Sequence, residues 1–233
     1  MNVVQTVEEE KSVLQWGGLA GILGSMIFIL IFIFVSVFIG LDPTEPAGWV
    51  MRFRDIRAAR MVENSLFLVV LILWVPHFLA LYHALRRTSL APALFGSVLG
   101  ILGLVVLAAE ALPHVAQAPI SDLYHAPGAT PEAQATLVLL WQATQGILDA
   151  MFIVGLVLLP IGLMLLGVAM LKATAFGKGF GGMSVVLGVA GIVAATLLLV
   201  DPASVLGGMV GVFALIGFHF VLGWKVYRLS RVA

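Results

Sequence analysis

The stretch Gly17-Gly18-Leu19-Ala20-Gly21-Ile22-Leu23-Gly24-Ser25-Met26-Ile27-Phe28-Ile29-Leu30-Ile31-Phe32-Ile33-Phe34-Val35-Ser36-Val37-Phe38-Ile39-Gly40 carries no charged side chain from end to end. A bilayer core about 30 Å thick is crossed by roughly 20 apolar residues of helix. In hydrocarbon every backbone N–H and C=O must be paired within the segment itself, and a helix does that. Gly17 to Gly40 therefore reads as a membrane span. Ser65 to Leu85, Ala91 to Leu112, Ala150 to Leu171, Gly182 to Val200 and Leu206 to Val226 read the same way. The interruptions are Asp42-Pro43, Arg86-Arg87, Pro113-His114, Lys172 with Lys178, Asp201-Pro202, and Lys225 with Arg228. Each puts charge or a helix breaker at a span end. The expected fold is an all-α integral membrane protein, a six-transmembrane-helix bundle forming one domain over residues 1–233.

Composition agrees. Of the 233 residues 61% are hydrophobic and 10% charged, and the mean hydropathy is +1.13, far above that of a water-soluble domain. The formal net charge of zero gives no global field to attract nucleic acid. There is no cysteine, which removes disulfides, thiolate nucleophiles and thiolate-bound metals. Any chemistry falls to histidine and carboxylates.

Basic residues in short loops stay on the cytoplasmic side. Lys11 precedes span one, Arg86 and Arg87 follow span two, Lys172 and Lys178 follow span four, and Lys225, Arg228 and Arg231 follow span six. The expected placement is a bacterial inner (plasma) membrane, multi-pass, with both termini cytoplasmic. Arg52, Arg54, Arg57 and Arg60 run against this pattern, in an outer loop over 41–64 where Asp42, Glu45, Asp55 and Glu63 lie close by. Trp49, Phe53 and Ile56 recur at helical spacing, so Gly48 to Glu63 is expected to fold along the membrane surface. Residues 1–14 read as a cytoplasmic leader without a secretory cleavage pattern, and Thr6 with Glu9 fits a capping box. Residues 113–149 read as an outer loop and a helix leading into span four. Thr130 serves as its cap and Pro131 as its first residue. A continuous helix from Pro131 to Lys172 is roughly 63 Å long, about twice the bilayer core, and so projects, kinks or folds back, with Gly146 and Pro160 as kink points.

Spans one, three and five open on an aromatic residue followed by spaced glycines: Trp16-Gly17-Gly18 with Gly21 and Gly24, Phe95-Gly96 with Gly100 and Gly103, and Phe180-Gly181-Gly182 with Gly188 and Gly191. Small residues at such spacing let helices approach closely in lipid. Three related helical hairpins account for the pattern, and so does the ordinary glycine richness of membrane helices.

Ionisable groups at membrane depth are costly and are candidates for function. Glu110 and His114 close span three, His125 lies in the loop beyond, and Gln142, Gln145 and Asp149 share one helical face. Arg60 shares a face with Trp49, Phe53 and Ile56, within reach of Glu110 or Asp149. Together these residues would form an outward-facing polar pocket. In ligand type Glu110, His114, His125 and Asp149 also suit a divalent metal, although ordinary interfacial hydrogen bonding is the commoner role of such residues. Nearer the cytoplasm His77 and His219 each lie about 20 Å from the outer end of their spans at 1.5 Å per residue. Bis-histidine haem ligation needs such a matched pair, with Gly217 and Gly223 leaving room, while a lone histidine per helix more often donates to a freed carbonyl. No glycine-rich nucleotide loop, nucleophile elbow, voltage-sensor arginine run or ring of pore-lining polar residues is present in the sequence.

The Gly17-Gly18-Leu19-Ala20-Gly21-Ile22-Leu23-Gly24 opening, the Leu81 to Arg87 end of span two, and Phe152 to Leu171 running into Gly181-Gly182 resemble a group of six-span bacterial membrane proteins catalogued as a domain of unknown function. The resemblance covers most of the chain and implies topology alone.

The expected function is a non-catalytic bundle whose outward-facing pocket takes a small ligand, a lipid head group or a protein partner, with no cofactor and no nucleic acid. The bilayer is its constant partner, and a homo-oligomer is compatible. The alternative is a membrane enzyme or redox carrier built on the metal or haem residues.

Overall fold

The computed structural model describes residues 3–41, 43, 45–201 and 204–232, without the side chains of 3–7 and 111–114. The chain forms α1 (Val3–Phe34), continued by a wider π-helical turn over Val35–Ile39, then α2 (Pro46–Leu85), α3 (Leu90–Ala109), α4 (Ala111–Tyr124), α5 (Pro131–Lys172), α6 (Gly177–Val200) and α7 (Val205–Ser230). Six of these helices, all but α4, are long and apolar enough to cross a membrane. The chain is a multi-pass helical membrane bundle, as its hydrophobic runs require.

Consecutive spans are neighbours, and α7 returns to pack on α1, so α1, α2, α3, α5, α6 and α7 close a ring in chain order. Trp74, Phe78, Phe218, Leu159 and Leu163 fill its interior without exposure. The backbones touch at glycine. A Cβ placed on Gly162 of α5 would lie 2.6 Å from the Gly100 nitrogen of α3, and one on Gly18 of α1 2.5 Å from the Tyr227 nitrogen of α7. Burial of apolar surface gives no drive between helices already in lipid, so such close backbone packing holds the ring together. The matched glycines do not share a packing pattern. Those of α1 face α2 and α7, those of α3 face α2 and α5, and Gly181, Gly188 and Gly191 of α6 face α5 while Gly182 meets nothing.

At the end bearing both termini, Glu10 accepts from Arg87 at 2.7 Å, with Arg86 at 3.6 Å and His83 at 3.8 Å. α1 is already helical from Val3, so the leader runs without a break into span one. The Thr6 side chain of the expected capping box lies outside the described residues.

The opposite, far end differs from expectation in two places. Gly48 to Glu63 is the first half of α2, a helix of 40 residues and hence about 60 Å. Pro46 sits in its first turn, where its missing N–H costs no hydrogen bond. Span three, expected to reach Leu112, stops at Ala109, and residues 113–124, expected as loop, belong to the helix α4. Pro113 falls in the first turn of α4, where proline is tolerated. α5 is one helix of 42 residues, capped by Thr130 Oγ1 accepting from the Ala133 N–H. The far halves of α2 and α5 clasp α4 and share a second core of Val50, Phe53, Ala118, Ile120 and Trp141. Ser121 donates to the Val50 carbonyl at 3.1 Å, Gln134 to the Tyr124 carbonyl at 3.1 Å, and Arg57 pairs with Asp122 at 3.1 Å.

Candidate functional site

α2 and α5 outrun the bilayer thickness, and the overhang gives the far end a cap with its own walls. Trp49, Phe53, Ile56 and Arg60 recur on one face of α2 and line a cavity of about 240 Å³. Glu63, Glu110, Gln117, Trp141 and Gln145 line it as well. Trp49, Trp141 and Gln145 are shared with an adjoining cavity of about 270 Å³, which Gln142 and Asp149 complete.

The polar side chains form a chain. Gln117 donates to the side-chain carbonyl of Gln145 at 3.0 Å, and Gln145 donates to Asp149 Oδ1 at 3.1 Å. Arg60 forms its ion pair with Glu63, three residues on, at 2.9 Å. Arg52 donates to the carbonyls of Ile39 and Leu41, groups left without helical partners where α1 ends.

Glu110 stands one residue beyond the end of α3, outside the span. Burial, then the like charges of Asp149 and Glu63, push its carboxyl up to about 8. Its Oε2 is buried with no hydrogen-bond partner, and so is the indole N–H of Trp141 on the same cavity. Two side chains lining one space thus each carry a buried polar atom without a partner.

Arg60, Glu110, Gln142, Gln145 and Asp149 are therefore brought together. His125 is engaged elsewhere, its Nδ1 2.8 Å from the Ser121 carbonyl at the end of α4. His114 belongs to α4, but its side chain lies outside the described residues. Among the described residues no three His, Asp or Glu side chains converge as a metal centre would require. Sequence reasoning missed Gln117 and Trp141. Trp141 precedes Gln145 by one helical turn, a signal that was available, whereas Gln117 needed α4 to be recognised as a helix.

His77 and His219 also meet. Both are fully buried, with ring centroids 5.2 Å apart in a T-shaped contact rather than across a flat slot. The space beside Gly223 is taken by α1, since a Cβ there would lie 2.9 Å from the Gly18 oxygen and the Ile22 nitrogen. Trp74 stacks on His219 at 3.9 Å.

No curated protein and no solved structure matches the chain. One family model does, over residues 19–231, nearly the whole of the helical ring and its cap. The chain belongs to the family described as Domain of unknown function (DUF4386).

Proposed function

We propose that this is a non-catalytic membrane protein that holds a small hydrogen-bonding ligand, of the kind presented by a zwitterionic lipid head group, in the pocket capped by α2, α4 and α5. Two observations carry the reading: Glu110 and Trp141 line the same cavity, and each holds a buried polar atom without a partner, Oε2 and the indole N–H. A buried polar atom without a partner costs about 1–3 kcal/mol, and a ligand with both a donor and an acceptor relieves two such atoms at once. Trp49, Phe53 and Trp141 supply apolar walls, while Gln117 and Gln145 are already fixed by their own bond. Concave sites that set aromatic walls beside a few convergent polar groups are typical ligand sites. The pocket lies at the end opposite both termini, which by the distribution of basic residues faces outward.

The test is titration of the purified chain with glycerophosphoethanolamine, followed by tryptophan fluorescence, together with native mass spectrometry for a co-purifying small molecule or phospholipid. A saturable signal, weakened at least tenfold in Glu110→Ala and in Trp141→Phe, supports the reading. Absence of both a co-purifying species and a saturable signal overturns it.

A further inference from the structure

Building on the head-group reading above, we propose that the cavity between the start of α2 and the first half of α5 holds a quaternary ammonium group, the cationic end of a choline-type head group, beside Asp149.

Helical spacing assembles the lining. Trp141, Gln145 and Asp149 stand one turn apart along α5, with Gln142 and Gly146 beside them, and α2 contributes Pro46 and Trp49 to the same cavity of about 270 Å³. Among the described residues Asp149 is the one charged side chain in this lining. Its Oδ1 accepts from Gln145 at 3.1 Å, a neutral partner that brings no counter-charge. The charge is felt next door: after burial, Asp149 is the largest influence raising the Glu110 carboxyl, and Glu63 follows it. Negative charge is locally in excess, and a cation relieves it.

The lining also selects the kind of cation. A metal ion takes several ligands, and among the described residues no three His, Asp or Glu side chains converge. A primary ammonium brings three N–H donors, each of which needs an acceptor. Acceptors are scarce here. Gln145 has its carbonyl on Gln117 and its N–H on Asp149, and Pro46, Trp49, Trp141 and Gly146 offer no side-chain acceptor. A quaternary ammonium carries no N–H to satisfy. Its methyl groups suit apolar walls, and indole attracts a cation more strongly than the other aromatic rings do. Two indoles and one carboxylate on a single cavity are the parts such recognition uses. The phosphate next to such a group then falls in the adjoining cavity, which shares Trp49, Trp141 and Gln145 and has Arg52 and Arg60 in its lining.

The full chain in maltoside detergent is titrated with glycerophosphocholine and glycerophosphoethanolamine, and separately with choline and its uncharged tert-butyl analogue, followed by tryptophan fluorescence. Glycerophosphocholine should bind at least tenfold more tightly than glycerophosphoethanolamine, and choline should saturate where its neutral analogue does not. Asp149→Asn keeps an acceptor for Gln145 and removes the charge, so affinity for glycerophosphocholine should fall at least tenfold. Gly146→Leu adds bulk to the lining at a site where a Cβ meets nothing within 4 Å, and it should do the same. A saturable signal with glycerophosphoethanolamine bound as tightly as glycerophosphocholine, or more so, overturns the ammonium assignment and leaves the head-group reading standing. No signal from any probe overturns both. Wild-type affinity in Asp149→Asn also overturns the assignment. Should that variant fail to fold, wild-type affinity in Gly146→Leu, or equal affinity for choline and its neutral analogue, refutes it instead.

Discussion

Gln117 on α4 donates its side-chain N–H to Gln145 on α5 across 3.0 Å, joining a helix of 14 residues to one long and apolar enough to cross a membrane. Gln117 is 1% exposed, so its amide has no access to solvent as an alternative. The bond also holds Gln145 in position to reach Asp149. Pocket shape and cap stability therefore rest on the same amide.

Replacing Gln117 by Leu keeps bulk and removes the donor. The Gln145 carbonyl then loses its partner, at about 1–3 kcal/mol. The loss belongs to the cap and not to the ring. Hydrogen exchange should accelerate in α4 and the first half of α5, while α6 and α7 keep their protection. Uniform acceleration along the whole chain would contradict a cap with its own core.

Glu110 sets a pH dependence whose sign follows from burial. Its carboxyl is raised from 4.5 to about 8, so between those values the folded chain holds a proton that the unfolded chain has lost. Stability falls with rising pH wherever the folded state binds more protons. The wild-type protein should therefore lose thermal stability steadily from pH 5 towards pH 8. Glu110→Gln keeps the shape and cannot ionise, so its melting temperature should change less over that interval. Parallel curves for the two proteins would show that Glu110 ionises freely.

Two glycines differ only in what surrounds them. A Cβ on Gly162 would meet the backbone of α3 at 2.6 Å and 2.7 Å, whereas one on Gly182 meets nothing within 4 Å. Gly162→Val should cost about 1–3 kcal/mol through overpacking and separate α3 from α5. Gly182→Ala should be neutral or stabilising by about 0.5–1 kcal/mol, as expected of an unobstructed helical site. Denaturation in matched detergent distinguishes them.

The spans were legible because lipid leaves the main chain one solution, and long apolar runs announce it without knowledge of packing. The pocket was legible in part. Gln142, Gln145 and Asp149 share a face by spacing within one helix, as do Trp49, Phe53, Ile56 and Arg60. What spacing cannot show is which helix lies opposite. Pro113, read as the break after span three, left α4 as loop, which hid Gln117; Arg60 lines the cavity with Glu110 as its spacing suggested, and pairs with Glu63 on its own helix. His77 and His219 were matched by depth, but their contact depends on α1, whose Gly21 admits the His77 ring.

The distribution of basic residues sets an expected orientation, and the molecule is well suited to testing it. Lys11, Arg86, Arg87, Lys172, Lys178, Lys225, Arg228 and Arg231 belong to the end that carries both termini, and basic residues flanking spans are retained in the cytoplasm. Arg52, Arg57 and Arg60 lie at the other end, yet each has a partner there: carbonyls for Arg52, Asp122 for Arg57 and Glu63 for Arg60. Their place in the folded cap is compatible with translocation. Since the chain has no cysteine, one introduced thiol reports one position. Leu123→Cys at the exposed end of α4 should react with an impermeant maleimide on intact cells, and Thr174→Cys between α5 and α6 should react only after lysis. The reverse pattern would turn the protein over, placing the pocket of Glu110 and Trp141 in the cytoplasm and making its ligand a cytoplasmic one.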